Sequence, residues 1–237
     1  MAVALRQDFH IANMTRSAIA INACDCGIDD SLQPAPDFMW TLRIMGLAAK
    51  ATNYAYATSS RSTSDWDELD RHLTDWTALR PASFNPLNEA PDVASSSCLA
   101  TNTSSPTSGG SGTLPTPIYL DDSPIAGGQC FQLCRILLLS RDPRLPGLGP
   151  GRREFLGRQE EAIRDSVRII CGTALSNSNC TPAVILAGLA IAMTGEYFTN
   201  VVEAATLLEI VTGAELHIGW PALEVSHKLR RFWTSLQ

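Results

Sequence analysis

Between Pro182 and Met193 the chain reads PAVILAGLAIAM, twelve residues without one polar side chain. Such a stretch has to be surrounded, and what can surround it decides the fold. As a helix the run measures about 18 Å at roughly 1.5 Å per residue. The hydrocarbon core of a bilayer needs roughly 30 Å, or about twenty residues. The run is therefore too short to span a membrane and is expected as a helix buried on every side within a globular core. Thr181 is expected to cap it, Pro182 to sit at its first position and Gly195 to end it, leaving no solvated face.

Amphipathic segments elsewhere supply the neighbours. Residues 2–16 read as a first helix, with Val3, Leu5, Phe9, Ala12 and Met14 spread over its faces. A loop follows, and 38–57 reads as a second helix with Met39, Trp40, Ile44, Leu47, Ala48 and Ala51 at spacings of three and four. The clearest pattern is SDWDELDRHLTDWTALRP, in which Trp66, Leu69, Leu73, Trp76 and Leu79 line one face. Its first turns carry Asp65, Asp67, Glu68 and Asp70, complementing the helix dipole; Ser64 is a candidate N-cap and Pro81 closes the helix. Further helices are expected over 125–140 (Leu133, Ile136, Leu137, Leu138 apolar) and 152–176 (Phe155, Ala162, Ile163, Val167, Ile170, Cys171, Leu175 inward). Asn200 with Glu203 gives a capping-box-like start to a helix that turns Ala204, Leu207, Leu208 and Val211 inward. The last helix opens at Trp220-Pro221 and presents Val225, Leu229, Phe232, Trp233 and Leu236. No segment alternates as a strand would. The expected fold is all-α, an irregular bundle of about seven to eight helices forming a single domain over the whole chain. Residues 91–117 (PDVASSSCLATNTSSPTSGGSGTLPTP) are expected as a disordered loop, since a Ser/Thr/Gly/Pro-rich stretch buries too little apolar area to offset its ordering.

The chemistry-bearing residues are sparse. A net charge of −6 and a pI near 5.2 argue against a chain that grips a phosphate backbone. Only 18% of residues are charged against 45% apolar, which suggests apolar surface covered by something outside this chain. The seven cysteines are odd in number and scattered, the usage of a reduced compartment. Arg6 and Asp8 interrupt the only apolar segment that could serve as a signal peptide, so a cytosolic or nuclear protein is expected. Cys24 and Cys26 are too close to be two arms of a zinc knuckle. Cys130 and Cys134 stand one helical turn apart in an apolar context, and Cys171 and Cys180 have no partner spacing, so all four read as core cysteines. His10, His72, His217 and His227 are scattered; the acidic doublets Asp29-Asp30, Asp121-Asp122 and Glu160-Glu161 fall in loops or on a solvated face; GLGPG at 147–151 is a turn and no phosphate loop. The basic residues His227, Lys228, Arg230 and Arg231 stand where a helix C-terminus favours positive charge. No catalytic, cofactor-binding or metal-ligating residue is assigned. The alternative is a small-molecule-binding protein or enzyme with a pocket near Cys130, Cys134 and the 182–194 helix.

Five blocks, taken in order, resemble a known family. Leu5-Arg6-Gln7-Asp8 with His10 and Ala12 looks like an LRQ-type first helix. Trp66-x-x-Leu69, then Trp76, Arg80-Pro81, Phe84 and Pro86-Leu87, is similar to a WxxL…W…RPxxFxPL block. PIYLDDSPIAGGQCFQLCRILLLSRDP matches a helix of the type Q-x-[YH]-L-A-R-I-L-L-L-x-x-x-P through Gln129, Leu133, Arg135 and Pro143. ICGTALSNSNCTPAVILAGLAIAMTGEYFTN looks like an ICGIALSN…PPALV block, although Thr181-Pro182 stands where the family often has Pro-Pro, and Gly219-Trp220-Pro221 with Phe232-Trp233 looks like a closing helix. The chain thus resembles the regulatory, or middle homology, domain of fungal zinc-cluster transcription factors. The resemblance implies a nuclear protein that regulates RNA polymerase II transcription through the transcription machinery, co-regulator proteins, an effector or self-association, without catalysis. It also implies that zinc and DNA contact reside in a six-cysteine cluster whose C-x2-C spacing no residue here matches. The chain is accordingly expected to be the C-terminal portion of a longer factor, a truncated gene model or a stand-alone relative.

Overall fold

The structure, a computed structural model, describes residues 2–56, 62–88 and 114–235. Eight α-helices lie among them: α1 (Ala2–Thr15), α2 (Asp37–Tyr56), α3 (Thr63–Leu79), α4 (Asp122–Leu139), α5 (Gly151–Ser176), α6 (Thr181–Thr194), α7 (Val201–Ile218) and α8 (Leu223–Thr234). The fold is all-α, with no strand among the described residues. The expected positions Ala57, Leu236 and the 91–113 part of the loop fall outside the described residues, as does the side chain of His217.

The most extensive packing is that of α2 on α4. Small residues make it close: Ala48 and Ala51 of α2 and Cys134 of α4 are wholly buried beside Ile44 and Leu133. On one side α3 covers both helices. On the other, α5 packs on α4, α6 on α5, α7 on α6 and α8 on α7, while α1 bridges α2 and α6. The helix α6 therefore touches α1, α4, α5 and α7, and Leu186, Ala187, Leu189, Ala190 and Ile191 are buried. Trp220 lies over Gly188, whose missing β-carbon would stand 3.2 Å from the indole. Burial is incomplete along one edge, where Val184, Ile185, Ala192 and Met193 are half-buried; the expectation that α6 has no solvated face is corrected there.

Tryptophans fasten the layers. The indole Nε1 of Trp66 donates to Leu138 O (3.0 Å), that of Trp76 to Trp40 O (3.2 Å) and that of Trp233 to Phe198 O (2.8 Å). Leu138 lies in the last turn of α4, where its carbonyl also accepts from Arg141 N (3.1 Å), so Trp66 adds a side-chain donor at that helix end. Asn13, almost wholly buried, ties α1 to α2 by donating to Phe9 O (2.8 Å) and Thr52 Oγ1 (3.1 Å).

Several local expectations shift by a residue or more. Ser62, not Ser64, caps α3, its side chain accepting from Ser64 N. The helix α4 begins at Asp122 under the cap of Asp121, because Pro124 is accommodated in the first turn where its missing N–H costs nothing. Cys180 holds the N-cap position of α6 and Thr181 is already helical. Asn200 caps α7 as expected, but Glu203 does not close a capping box and turns instead to Arg168 (2.8 Å). Leu79 and Leu175, expected on inner faces, are exposed, although Trp76, Thr173 and Ala174 beside them are buried.

Candidate functional site

At one end of the bundle α2 begins, α3 ends, α4 begins and α5 ends. Thr41 Oγ1 donates to Ser123 O (2.7 Å), joining the starts of α2 and α4. Phe84, in the 3-10 turn Ala82–Phe84, meets Trp76 edge to face at 5.5 Å, and Phe131 of α4 stacks on Trp76 at 5.7 Å. Phe84 fits because Gly127 opposite it has no side chain; a β-carbon there would lie 2.7 Å from the ring. Arg80 reaches over Trp76 and donates to Asn85 Oδ1 (3.3 Å), its guanidinium lowered in pKa by burial.

Across this end runs a strap, residues 114–121. Pro115 and Pro117 bring no N–H to satisfy, and side chains take up the strap's carbonyls. Ser176 Oγ (2.6 Å) and Asn177 Nδ2 (2.8 Å) both donate to Pro117 O, and Asn177 Oδ1 accepts from Tyr119 N (3.3 Å). Asn88 pairs with the strap as a strand backbone would. Its Nδ2 donates to Thr116 O (2.6 Å), its Oδ1 accepts from Ile118 N (2.8 Å), and the neighbouring Leu87 N donates to Ile118 O (2.8 Å). Residues 114–117, expected within the disordered loop, are thus packed, with Pro117 buried and Leu114 against the core. The signal was present in ALSN, but a Ser/Asn cluster after a helix reads first as an inter-helix turn.

Six large apolar side chains stand exposed on the elements gathered here: Phe38, Leu79, Leu87, Ile118, Leu120 and Leu175, from 45% at Ile118 to 87% at Leu120. Carboxylates accompany them, with Asp37 beside Phe38, Asp75 one turn before Leu79, and Asp121 and Asp122 after Leu120.

The buried cysteines make no reactive centre. Cys130, Cys134, Cys171 and Cys180 are buried, and burial pushes the thiols of Cys130 and Cys171 up to about 12, so both stay protonated and non-nucleophilic. Cys24 is exposed and Cys26 half-buried on the 3-10 turn Cys24–Cys26. Among the described residues no three His, Cys, Asp or Glu side chains group as metal ligands. His10 meets Trp220 edge-on, His72 is half-buried on α3 and His227 is exposed on α8. The Asp29-Asp30 doublet is spent on ion pairs, Asp29 with Arg43 (2.7 Å) and Asp30 with Lys50, and of the Glu160-Glu161 doublet Glu161 pairs with Arg164 (2.5 Å) and Arg168 (2.7 Å). The GLGPG turn borders a shallow hollow of about 480 Å³ lined by Gly149, Arg152, Arg153, Leu156, Gly157 and Glu160. Arg152 is committed to the loop, its Nη1 donating to Pro146 O (2.6 Å). No helix among the described residues is long and apolar enough to cross a membrane.

No protein-family model, curated protein or solved structure matches the chain.

Proposed function

We propose that the chain is a non-catalytic regulatory domain of a fungal transcription factor, acting in the nucleus on RNA polymerase II transcription through contacts with other proteins or a small effector. The observation that carries this reading is the part that the resembling blocks play in the fold. An apolar pattern alone is interchangeable between helical proteins, but these blocks hold special positions. Trp66 and Trp76 donate to carbonyls of α4 and α2. Gly172, Ser176 and Asn177 hold the strap, and Trp220 lies over Gly188. The buried, protonated thiols of Cys130 and Cys171 favour the non-catalytic reading over an enzyme that uses those cysteines.

The test is a reporter assay with the chain fused to an unrelated DNA-binding domain. Reporter output that rises or falls against the DNA-binding domain alone is expected; unchanged output from a stably expressed fusion overturns the reading. DNA contact belongs to a cluster outside this chain, so the chain alone should show no tight, steeply salt-dependent binding to promoter DNA.

A further inference from the structure

We propose that the bundle end bearing Phe38, Leu79, Leu87, Ile118, Leu120 and Leu175 is a docking surface for a basic, apolar segment of a partner protein. The inference rests on the regulatory reading for its biological setting, and on geometry for everything else. Fourteen large apolar side chains are exposed among the described residues, and these six belong to elements that meet at one end. Concentrations of exposed apolar surface mark interaction sites, whereas scattered single residues do not.

Charge says what fits. Among the described residues Asp37, Asp75, Asp121 and Asp122 form no ion pair, although Asp121 caps α4 through Ser123 N and Asp122 bonds to Cys180, while Asp29, Asp30, Asp142, Glu161, Asp165 and Glu203 each do. Arg80, a cation at this end, is turned back onto Trp76 and Asn85. An apolar face rimmed by carboxylates without an ion-pair partner among the described residues suits a segment with apolar anchors flanked by Lys and Arg, laid in as an amphipathic helix. The floor is also fixed beforehand, by the Asn88 and Pro117 hydrogen bonds and the Trp76 aromatic cluster, so little ordering is left for the binding step.

The other occupants fit less well. Residues 89–113 leave and re-enter the chain at this end, but they carry Glu89 and Asp92 and no Lys or Arg, the same sign as the rim. A second copy pairing through the same end would set carboxylates against carboxylates.

The experiment uses the full chain and two labelled sixteen-residue probes, one of Leu and Lys in amphipathic order and one with Glu in place of each Lys, followed by fluorescence anisotropy. The Lys probe should bind saturably, and the Glu probe at least about tenfold more weakly. Doubly substituted Ile118→Ser, Leu120→Ser protein should lose about tenfold in affinity for the Lys probe. The Asp37→Asn, Asp121→Asn pair should bind more weakly with a flatter salt dependence; Asn also caps helices, so α4 is preserved. Both variants should melt as the parent does, because Ile118, Leu120 and Asp121 are exposed and Asp37 is only half-buried. Equal affinity of all three proteins, or a Glu probe that binds as well as the Lys probe, overturns the proposal. So does deletion of 89–113 that raises affinity about tenfold, which would make that segment the occupant. Sedimentation showing a dimer that Leu120→Ser abolishes would likewise assign the surface to a second copy. A chain that binds the Lys probe but leaves the reporter silent keeps the docking surface and loses the regulatory reading. The reverse result does the opposite.

Discussion

The carbonyl oxygen of Pro115 lies 1.7 Å from the place a β-carbon on Gly172 would occupy, so strap and α5 meet backbone to backbone. Gly172→Ala must therefore displace one of them, and the Ser176 and Asn177 hydrogen bonds to Pro117 go with the strap. A loss of about 1–3 kcal/mol is expected, typical of overpacking. Gly213→Ala is the matched control: it is helical, a β-carbon there meets nothing within 4 Å, and a gain of up to about 1 kcal/mol is expected. Denaturant unfolding of both variants reads the difference. Equal stabilities would mean the strap does not press on Gly172.

The buried run separates two positions that its sequence makes look alike. Leu189 is wholly buried, whereas Ile185 lies on the half-buried edge of α6. Leu189→Ala should cost about 2–5 kcal/mol, and Leu189→Asp should leave no soluble folded protein. Ile185→Lys should remain folded, its long side chain carrying the charge out to water. Circular dichroism melts of the three proteins check this; a soluble, normally melting Leu189→Asp would remove α6 from the centre.

Legibility in the sequence follows the range of the forces involved. Periodicity reports which face of a helix is covered, so α3 with Trp66, Leu73 and Trp76 buried could be read directly. It cannot report how wide the covered face is, and Leu79 and Leu175 kept the period while lying outside it. Caps were near but displaced, as at Ser62, because SSRSTS offers several hydroxyls and only the three-dimensional start of α3 selects among them. The strap was out of reach altogether: Ser176 and Asn177 hold a carbonyl 59 and 60 residues earlier, a pairing with no local signature. The candidate surface was hidden for the same reason, since its six apolar residues are brought to one end only by the packing of α2, α3, α4 and α5.

Arg168 draws Glu203 of α7 onto α5, with Nε–Oε1 at 2.8 Å, while its Nη1 holds Glu161 and Asp165, both at 2.7 Å. The planar guanidinium serves three carboxylates at once, which a lysine ammonium cannot reproduce in the same fork. Arg168→Lys should therefore lose much of what Arg168→Ala loses. A double-mutant cycle of Arg168→Ala with Glu203→Ala should give a coupling of about 1 kcal/mol, since both side chains are largely shielded from solvent. A coupling near zero would reduce the network to a surface arrangement without effect on the α5–α7 contact.

His10 and Trp220 join the two ends of the described chain, and their contact is sensitive to acid. Trp220 Nε1 donates to His10 Nε2 at 3.3 Å, which requires that nitrogen to be unprotonated and places the neutral ring's proton on Nδ1. Protonation would set two donors against each other, and burial independently lowers the His10 pKa below its ordinary 6.5. Between the lowered value and 6.5 the unfolded chain takes up a proton that the folded chain refuses. The contribution to stability is therefore complete above the unfolded pKa and is lost as pH falls through the folded one. His10→Gln keeps an acceptor for Trp220 and removes the titration. Unfolding free energies measured at neutral pH and at mildly acidic pH should fall further for the parent than for His10→Gln. Identical losses in the two proteins would show that His10 does not couple protonation to folding.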